Sequence, residues 1–469
     1  MKTKLTLCGL LMAVGLYGQT PCEDNNAAGF PCSGFDLMSR ITPEEMNASF
    51  ANDSWGWTDA ETGNEYALVG LNNGTAFIDI SDPVNPQYLG KLPTRTESST
   101  WRDVKVYADH AFIVSEAPDH GMQVFDLTRL REISNAPMTF TEDAHYDGFG
   151  SAHNIVINTE SGYAYAVGTA LFNGGPVFIN IQDPLNPIGE GGYAMGNYSH
   201  DAQVVTYSGP DADYTGREIL IGSNADQIVI VDITDKNNPI SIATTDYSNV
   251  GYTHQGWFTE DQRYFLLGDE TDEFLVGFNT RTIIFDFTDL DNPVQFFEYF
   301  GTTPAVDHNG YVVGDTYYLA NYEAGMRAID ISDISNQVME EIGYFDTFPS
   351  SDQAGFGGTW NVYPFFESRN ILITGDAGFT LVRNPDELSV PENQIAQLRL
   401  YPNPAADFVW IESSEEPLQQ IEIFNVLGQQ IRSMTVSDVD KARIPTNDLT
   451  SGLYLVRVNS TTTHRLIVK

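Results

Sequence analysis

Cysteine and basic residues are the two scarcities of this chain. Its 469 residues include 3 cysteines, and 23 lysines and arginines against 64 aspartates and glutamates. Cys8 lies in an N-terminal apolar stretch, while Cys22 and Cys32 stand ten residues apart in PCEDNNAAGFPC. Two cysteines are too few for a zinc site, and this pair is expected to form one local disulfide in an oxidising compartment. The shortage of positive charge argues against nucleic acid and anionic lipid as partners and favours cations or basic proteins. The deficit is concentrated: residues 21–394 carry a net charge of −42, whereas 395–469 hold seven basic and eight acidic residues. Such acidity also keeps a protein soluble in a salty medium. Long apolar runs are scarce too. Leu5–Tyr17, behind Lys2 and Lys4, reads as the core of a secretory signal over residues 1–18 and is too short for a membrane span; no later segment is long and apolar enough to cross. The sequence has no G-x-S-x-G elbow, phosphate loop, dinucleotide fingerprint or H-E-x-x-H.

What the chain has instead is repetition. An eight-residue phrase occurs six times: TAFIDISD (75–82), MQVFDLTR (122–129), PVFINIQD (176–183), IVIVDITD (228–235), TIIFDFTD (282–289) and MRAIDISD (326–333). Its fifth residues, Asp79, Asp126, Asn180, Asp232, Asp286 and Asp330, are 44 to 54 positions apart. A strand-like phrase at that period marks one sheet-forming unit used repeatedly. Each unit opens with a strand near Trp or His: Trp55, Trp101, His153, His200, His254, His308 and Trp360. A second strand, the repeated phrase, an Asn-Pro turn in four copies, and a fourth strand follow.

Seven opening strands predict an all-β fold, a seven-bladed β-propeller over residues 19–385. The seventh unit lacks a fourth strand, and FDLMSRIT (35–42) is expected to supply it and close the ring. Residues 386–394 form a polar linker. Alternating strands and glycine turns over 395–469 predict a small β-sandwich.

That C-terminal stretch resembles the type A sorting domain of the type IX secretion system of Bacteroidetes. The matching residues are Pro402, Asn403 and Pro404 after Tyr401, Gly428 in IFNVLGQ, Gly452 and Tyr454 in SGLY, and the basic terminal Lys469. The resemblance implies the type IX machinery as partner, passage through the periplasm, and release or attachment at the cell surface. Residues 20–385 resemble the choice-of-anchor B family with its LVIVD repeats, through IVIVDITD, SSTWRDVKVY (98–107), AHNIVIN (152–158), SHDAQVV (199–205) and GYTHQGW (251–257). This implies a secreted or surface-anchored propeller and no established activity.

Propeller geometry places the opening residues at one mouth of the central channel. Trp55, Trp101, Asp103, Asp201, Glu270, Glu323 and Trp360 are the expected ligand-binding residues there. His153, His200, His254 and His308, from four consecutive units, could converge on a transition metal with carboxylates beside them. They could equally lock neighbouring strands through ring-nitrogen hydrogen bonds. In DADYTGRE (211–218), Asp211, Asp213 and Thr215 take positions 1, 3 and 5 of a calcium loop, although Gly222 stands where the closing Glu belongs. The repeated aspartates are expected at the opposite face, as turn residues. The leading expectation is a secreted binding or scaffold protein for a glycan or protein. The alternative is an extracellular metal-dependent enzyme or hydrolase acting at the His/Asp-rich mouth.

Overall fold

The computed structural model describes residues 19–385 and most of 398–469, leaving out 402, 414–416, 426–429, 440, 448, 451 and 460–461. The expected signal, the linker, Pro402 and Gly428 lie outside the described residues. The chain divides into two compact units, residues 1–384 and 385–469.

Among its described residues the first unit contains seven sheets in chain order, antiparallel except where Met138–Thr139 runs parallel to the outer strand of the first. Their opening strands are Ala51–Thr58, Arg102–Tyr107, Asn154–Asn158, Asp201–Thr206, Thr253–Phe258, Gly310–Val313 and Thr359–Tyr363. In each sheet the repeated phrase forms the third strand, or its counterpart Gly378–Arg383 in the last. Middle strands are apolar on both faces because each is packed on both sides. In Glu218–Ser223, Ile219 and Ile221 pack with Phe265 and Leu267 of the fifth sheet. Leu220 between them packs with Tyr165 and Phe178 of the third. The same two-sided packing runs through all seven sheets, and the last returns to the first: Leu372, Phe379 and Leu381 share a core with Ala67, Val69 and Ile78.

The six repeated Asp/Asn residues are turn residues. In every copy the side-chain oxygen accepts the amide N–H two residues on, at 2.8–3.0 Å. This Asx geometry ends the third strand. A second acid then stabilises the following turn in five copies: Asp82, Asp183, Asp235, Asp289 and Asp333 each accept from the Asn side chain three residues on, at 2.6–2.9 Å.

The N-terminal segment joins the last two sheets. Phe30–Ser33 pairs with Glu340–Phe345 in the sixth. Asp36–Ile41 pairs antiparallel with Gly378–Arg383 at the outer edge of the seventh. The Cys22–Cys32 disulfide ties the first of these strands to the residues before it. Phe35, Leu37, Met38 and Ile41 are buried by this docking.

The second unit has a three-stranded and a four-stranded antiparallel sheet sharing one core, in which Val409, Ile411 and Ile444 meet Ile421, Ile423 and Val456. Tyr454 donates to the Thr450 carbonyl at 2.8 Å, and the Lys469 amide donates to the Ala405 carbonyl at 2.8 Å.

Burying each of the four docked side chains contributes about 1.5–3 kcal/mol. Deleting residues 20–45 should therefore lower the calorimetric melting temperature substantially. An unchanged melting temperature would show that the docked strand is dispensable.

Candidate functional site

Residues within or just before the opening strands of sheets three to six bring four imidazoles into one row. Ring centroids are 4.1 Å apart for His153 and His200, 4.3 Å for His200 and His254, and 4.3 Å for His254 and His308. Trp360 continues the row 4.9 Å from His308. These rings form one wall of a cavity of about 600 Å³, completed by Trp101, Glu116, Tyr198, Tyr252, Glu270, Tyr322 and Phe356 among others.

The hydrogen bonds set the tautomers. His308 Nδ1 lies 2.5 Å from the Trp360 carbonyl, and His200 Nδ1 lies 3.2 Å from the His254 carbonyl. A carbonyl only accepts, so each Nδ1 carries the proton and each Nε2 keeps a lone pair. His153 Nδ1 pairs with Glu116 Oε1 at 2.6 Å. His254 is the exception: it is 1 % exposed and neither ring nitrogen has a hydrogen-bond partner among the described residues. Glu270 Oε2 lies 3.7 Å from His254 Nε2, and Glu270 Oε1 lies 3.8 Å from His308 Nε2. Tyr322 donates to Glu270 Oε1 at 2.9 Å.

Burial, reinforced by repulsion from the neighbouring rings, holds His200 and His254 well below the usual histidine range. Burial brings His308 down to about 3. Burial also raises Glu270 to about 7. The three buried rings are therefore neutral at physiological pH, as metal ligation requires. One donor atom each from His254, Glu270 and His308 falls within 4.8 Å of the others. Metal–ligand bonds of roughly 2.0–2.2 Å span donor separations up to about 4 Å, and the two N–O spacings, one to each oxygen of the Glu270 carboxylate, fall within that span. This set keeps two of the four expected histidines and adds Glu270.

Beneath the histidines the next residues inward form a polar layer. Asn309 donates to Asp53 Oδ2 and to Asn361 Oδ1, each at 3.1 Å. Gln255 bonds both backbone groups of Gly310. Asp103 Oδ2 accepts from the Ile155 amide at 2.8 Å, while its Oδ1 holds Lys105 at 2.6 Å. Asp53, Lys105 and Asp201 line a separate cavity of about 100 Å³ with Trp55, Trp257 and Tyr311.

The expected ligand-binding residues therefore divide. Trp101, Glu270 and Trp360 line the large cavity. Asp103 and Asp201 sit one layer deeper. Trp55 is the fifth residue of its strand and lies deeper still, with Lys105 4.7 Å from its ring. Glu323 lies against Gly355, outside the lining. Tyr198, Tyr252, Tyr322 and Phe356 complete the cavity without having been expected. Two of them had a signal: Tyr198-Ser-His200 and Tyr252-Thr-His254 repeat a Y-x-H pattern.

In the 211–218 segment, Asp211 accepts from the Asp213 amide at 3.2 Å and the Leu290 amide at 2.9 Å. Its cation-capable neighbours are Asp289 and Asp291 rather than Asp213 and Thr215, and both are exposed.

Residues 399–469 match the family of secretion system C-terminal sorting domains. The protein is thus exported to the cell surface or the extracellular space. Among the described residues no helix is long and apolar enough to cross a membrane. No curated protein matches the chain in sequence. Hydrazine synthase of Kuenenia stuttgartiensis superposes with a TM-score of 0.51 at 11% identity, covering 74% of this chain and 98% of that one, a likeness of fold alone. The Cps50 (Swd1) β-propeller domain of Myceliophteria thermophila gives a TM-score of 0.49 at 9% identity, over 74% of this chain and 99% of that one. PorZ of Porphyromonas gingivalis, a surface component of the type IX secretion system, gives 0.44 at 11% identity over 87% of this chain. The chain spans 58% of PorZ.

Burial raises Asp201 from 3.8 to about 7. The folded state then binds this proton more tightly than the unfolded one, so its contribution to stability falls as pH rises from about 4 to about 7. Denaturant titrations of Asp201→Asn should show a flatter decline across that window than wild type. Parallel profiles would reject the assignment.

Proposed function

We propose that this is a secreted or surface-anchored, seven-bladed β-propeller of the choice-of-anchor B type, followed by a small β-sandwich sorting domain. Seven sheets with cyclic core sharing support the blade count, and the two sheets over one core support the sandwich. Its activity is binding, at the histidine-lined cavity, of an extracellular glycan or protein through a transition-metal ion.

One observation carries this reading. His254 is buried with no hydrogen-bond partner for either nitrogen among the described residues, beside Glu270 and the lone pair of His308 Nε2. A buried polar group without a partner is costly, and an ion between the three side chains would remove that cost. His254, Glu270 and His308 would hold it. Two imidazoles and a carboxylate suit zinc and its neighbours, and three protein ligands leave a position open to the cavity. The hydrogen bond from His308 Nδ1 fixes that ring, and Tyr322 orients the carboxylate. The aromatic side chains around the opening would stack on sugar rings or receive a basic side chain.

Full-length protein purified without a polyhistidine tag should bind one zinc ion per chain by elemental analysis. The His254→Ala/His308→Ala variant should lose it. Equal, negligible metal in both would end this reading.

A hydrolytic reading has one specific observation in its favour. The His153–Glu116 pair sits on the same cavity wall, and Glu116 remains 35% exposed. A carboxylate-oriented imidazole beside a metal is a general base in a suitable place. If the protein hydrolyses esters or glycosides, Glu116→Gln should slow turnover roughly 100-fold with zinc content unchanged. Equal turnover in both proteins would remove Glu116 from the chemistry.

A further inference from the structure

The opening strands carry a second group of rings beyond the histidine row. Trp257 stands three residues after His254, Tyr311 three after His308, and Tyr363 three after Trp360. Register shifts at Thr253–Gln255 and Thr359–Asn361 supply the extra residue that lets His254 and Trp257, or Trp360 and Tyr363, line cavities on the same side of their strand. Trp55 of the first sheet joins them. Ring centroids are 4.9 Å apart for Trp257 and Tyr311, 5.9 Å for Tyr311 and Trp55, and 5.0 Å for Trp55 and Tyr363. Phe365 lies within 6.1 Å of all four rings. Tyr311 and Tyr363 are buried, whereas Trp55, Trp257 and Phe365 are only half-buried.

Trp55, Trp257, Tyr363 and Phe365 form part of the wall of a cleft of about 340 Å³, a size within the roughly 300–1,000 Å³ usual for ligand pockets. Val156, Ile157 and Val205 of the third and fourth sheets add an aliphatic part. Trp55, Val156, Ile157, Thr159 and Trp257 also line the smaller chamber that holds Asp53, Lys105 and Asp201, so cleft and chamber adjoin. No residue lining the histidine-lined cavity lines either of them.

The polar groups here have bonding capacity to spare. Lys105 Nζ spends one N–H on Asp103, at 2.6 Å, and its other two have no acceptor among the described residues. Asp201 Oδ1 accepts from the Ala202 amide at 2.7 Å, while Oδ2 has no donor among the described residues. The indole N–H groups of Trp55 and Trp257 likewise have no acceptor among the described residues.

Charge narrows the class of ligand. An anion would meet the carboxylates of Asp53, Asp103 and Asp201 grouped around Lys105. An organic cation would compete with Lys105, whose ammonium already lies 4.7 Å from the Trp55 ring centre. A wholly apolar ligand would strip water from Lys105 and Asp201 and leave their spare bonds unmade. An uncharged ring bearing hydroxyls meets all three conditions. Its C–H face packs on an aromatic ring, and each hydroxyl both donates and accepts.

We infer that this cleft is a carbohydrate site, taking a neutral pyranose unit against Trp55 and Trp257 with its hydroxyls on Lys105 and Asp201. The site stands apart from the histidine-lined cavity and needs no metal ion.

The test titrates the full chain, kept in EDTA so that the histidines hold no metal, with maltose, cellobiose, lactose and N,N′-diacetylchitobiose by calorimetry. Choline and glucuronate serve as charged comparators. At least one disaccharide should bind, and more tightly than either charged probe. Trp257→Ala should weaken that binding roughly tenfold or more. Thr159 is exposed and lines both cleft and chamber, so Thr159→Trp should block the site in a protein that still folds. His254→Ala/His308→Ala should bind the sugar as wild type does, which separates this site from the histidines. Absence of binding by all four disaccharides would overturn the inference. So would tighter binding of choline or glucuronate, or sugar binding that persists unchanged in Trp257→Ala and Thr159→Trp.

Discussion

The structure rests on the way each inner strand uses its polar side chains on its neighbour's backbone. Opening strands of adjacent sheets diverge and share no ladder, so their exposed amides and carbonyls need other partners. Asp103 takes the Ile155 amide, Gln255 takes both backbone groups of Gly310, and Asn361 donates to the Ser54 carbonyl across the junction of the last and first sheets. Each bond spans from one sheet to another. The buried polar layer therefore holds neighbouring sheets in register, while the apolar interfaces beside it supply most of the burial energy.

The histidine row follows from the same constraint. His200 and His308 use Nδ1 to bond the backbone of the next sheet, as locking residues do. That very bond turns Nε2 into an acceptor facing the cavity. Locking and ligation are thus compatible rather than competing roles, because an imidazole has two distinct nitrogens. His254 departs from this pattern: neither of its ring nitrogens has a hydrogen-bond partner among the described residues.

Much of the fold was legible because it is periodic. The repeated phrase located the third strands, and its Asp or Asn residues proved to be turn acceptors in all six copies. The pairing of Asp36–Ile41 with Gly378–Arg383 is consistent with a seventh unit one strand short. The site was legible only in outline. Spacing brought four histidines to one place but did not separate layers within the channel, so Trp55, Asp103 and Asp201 were assigned to a mouth they lie beneath. A two-residue shift along a strand changes depth without changing the inward face.

The outer strand Asp36–Ile41 has a consequence for the order of events during assembly. Its partner lies about 340 positions later, as the Arg40–Thr380 hydrogen bond records. The sheets between are built mainly from local hairpins, although the sixth also takes Phe30–Ser33 from the N-terminal segment. The seventh sheet cannot gain its fourth strand until the last hairpin is present to pair with that earliest segment. Contacts of such long range are slow to form. The Cys22–Cys32 loop shortens the search by keeping the waiting segment compact.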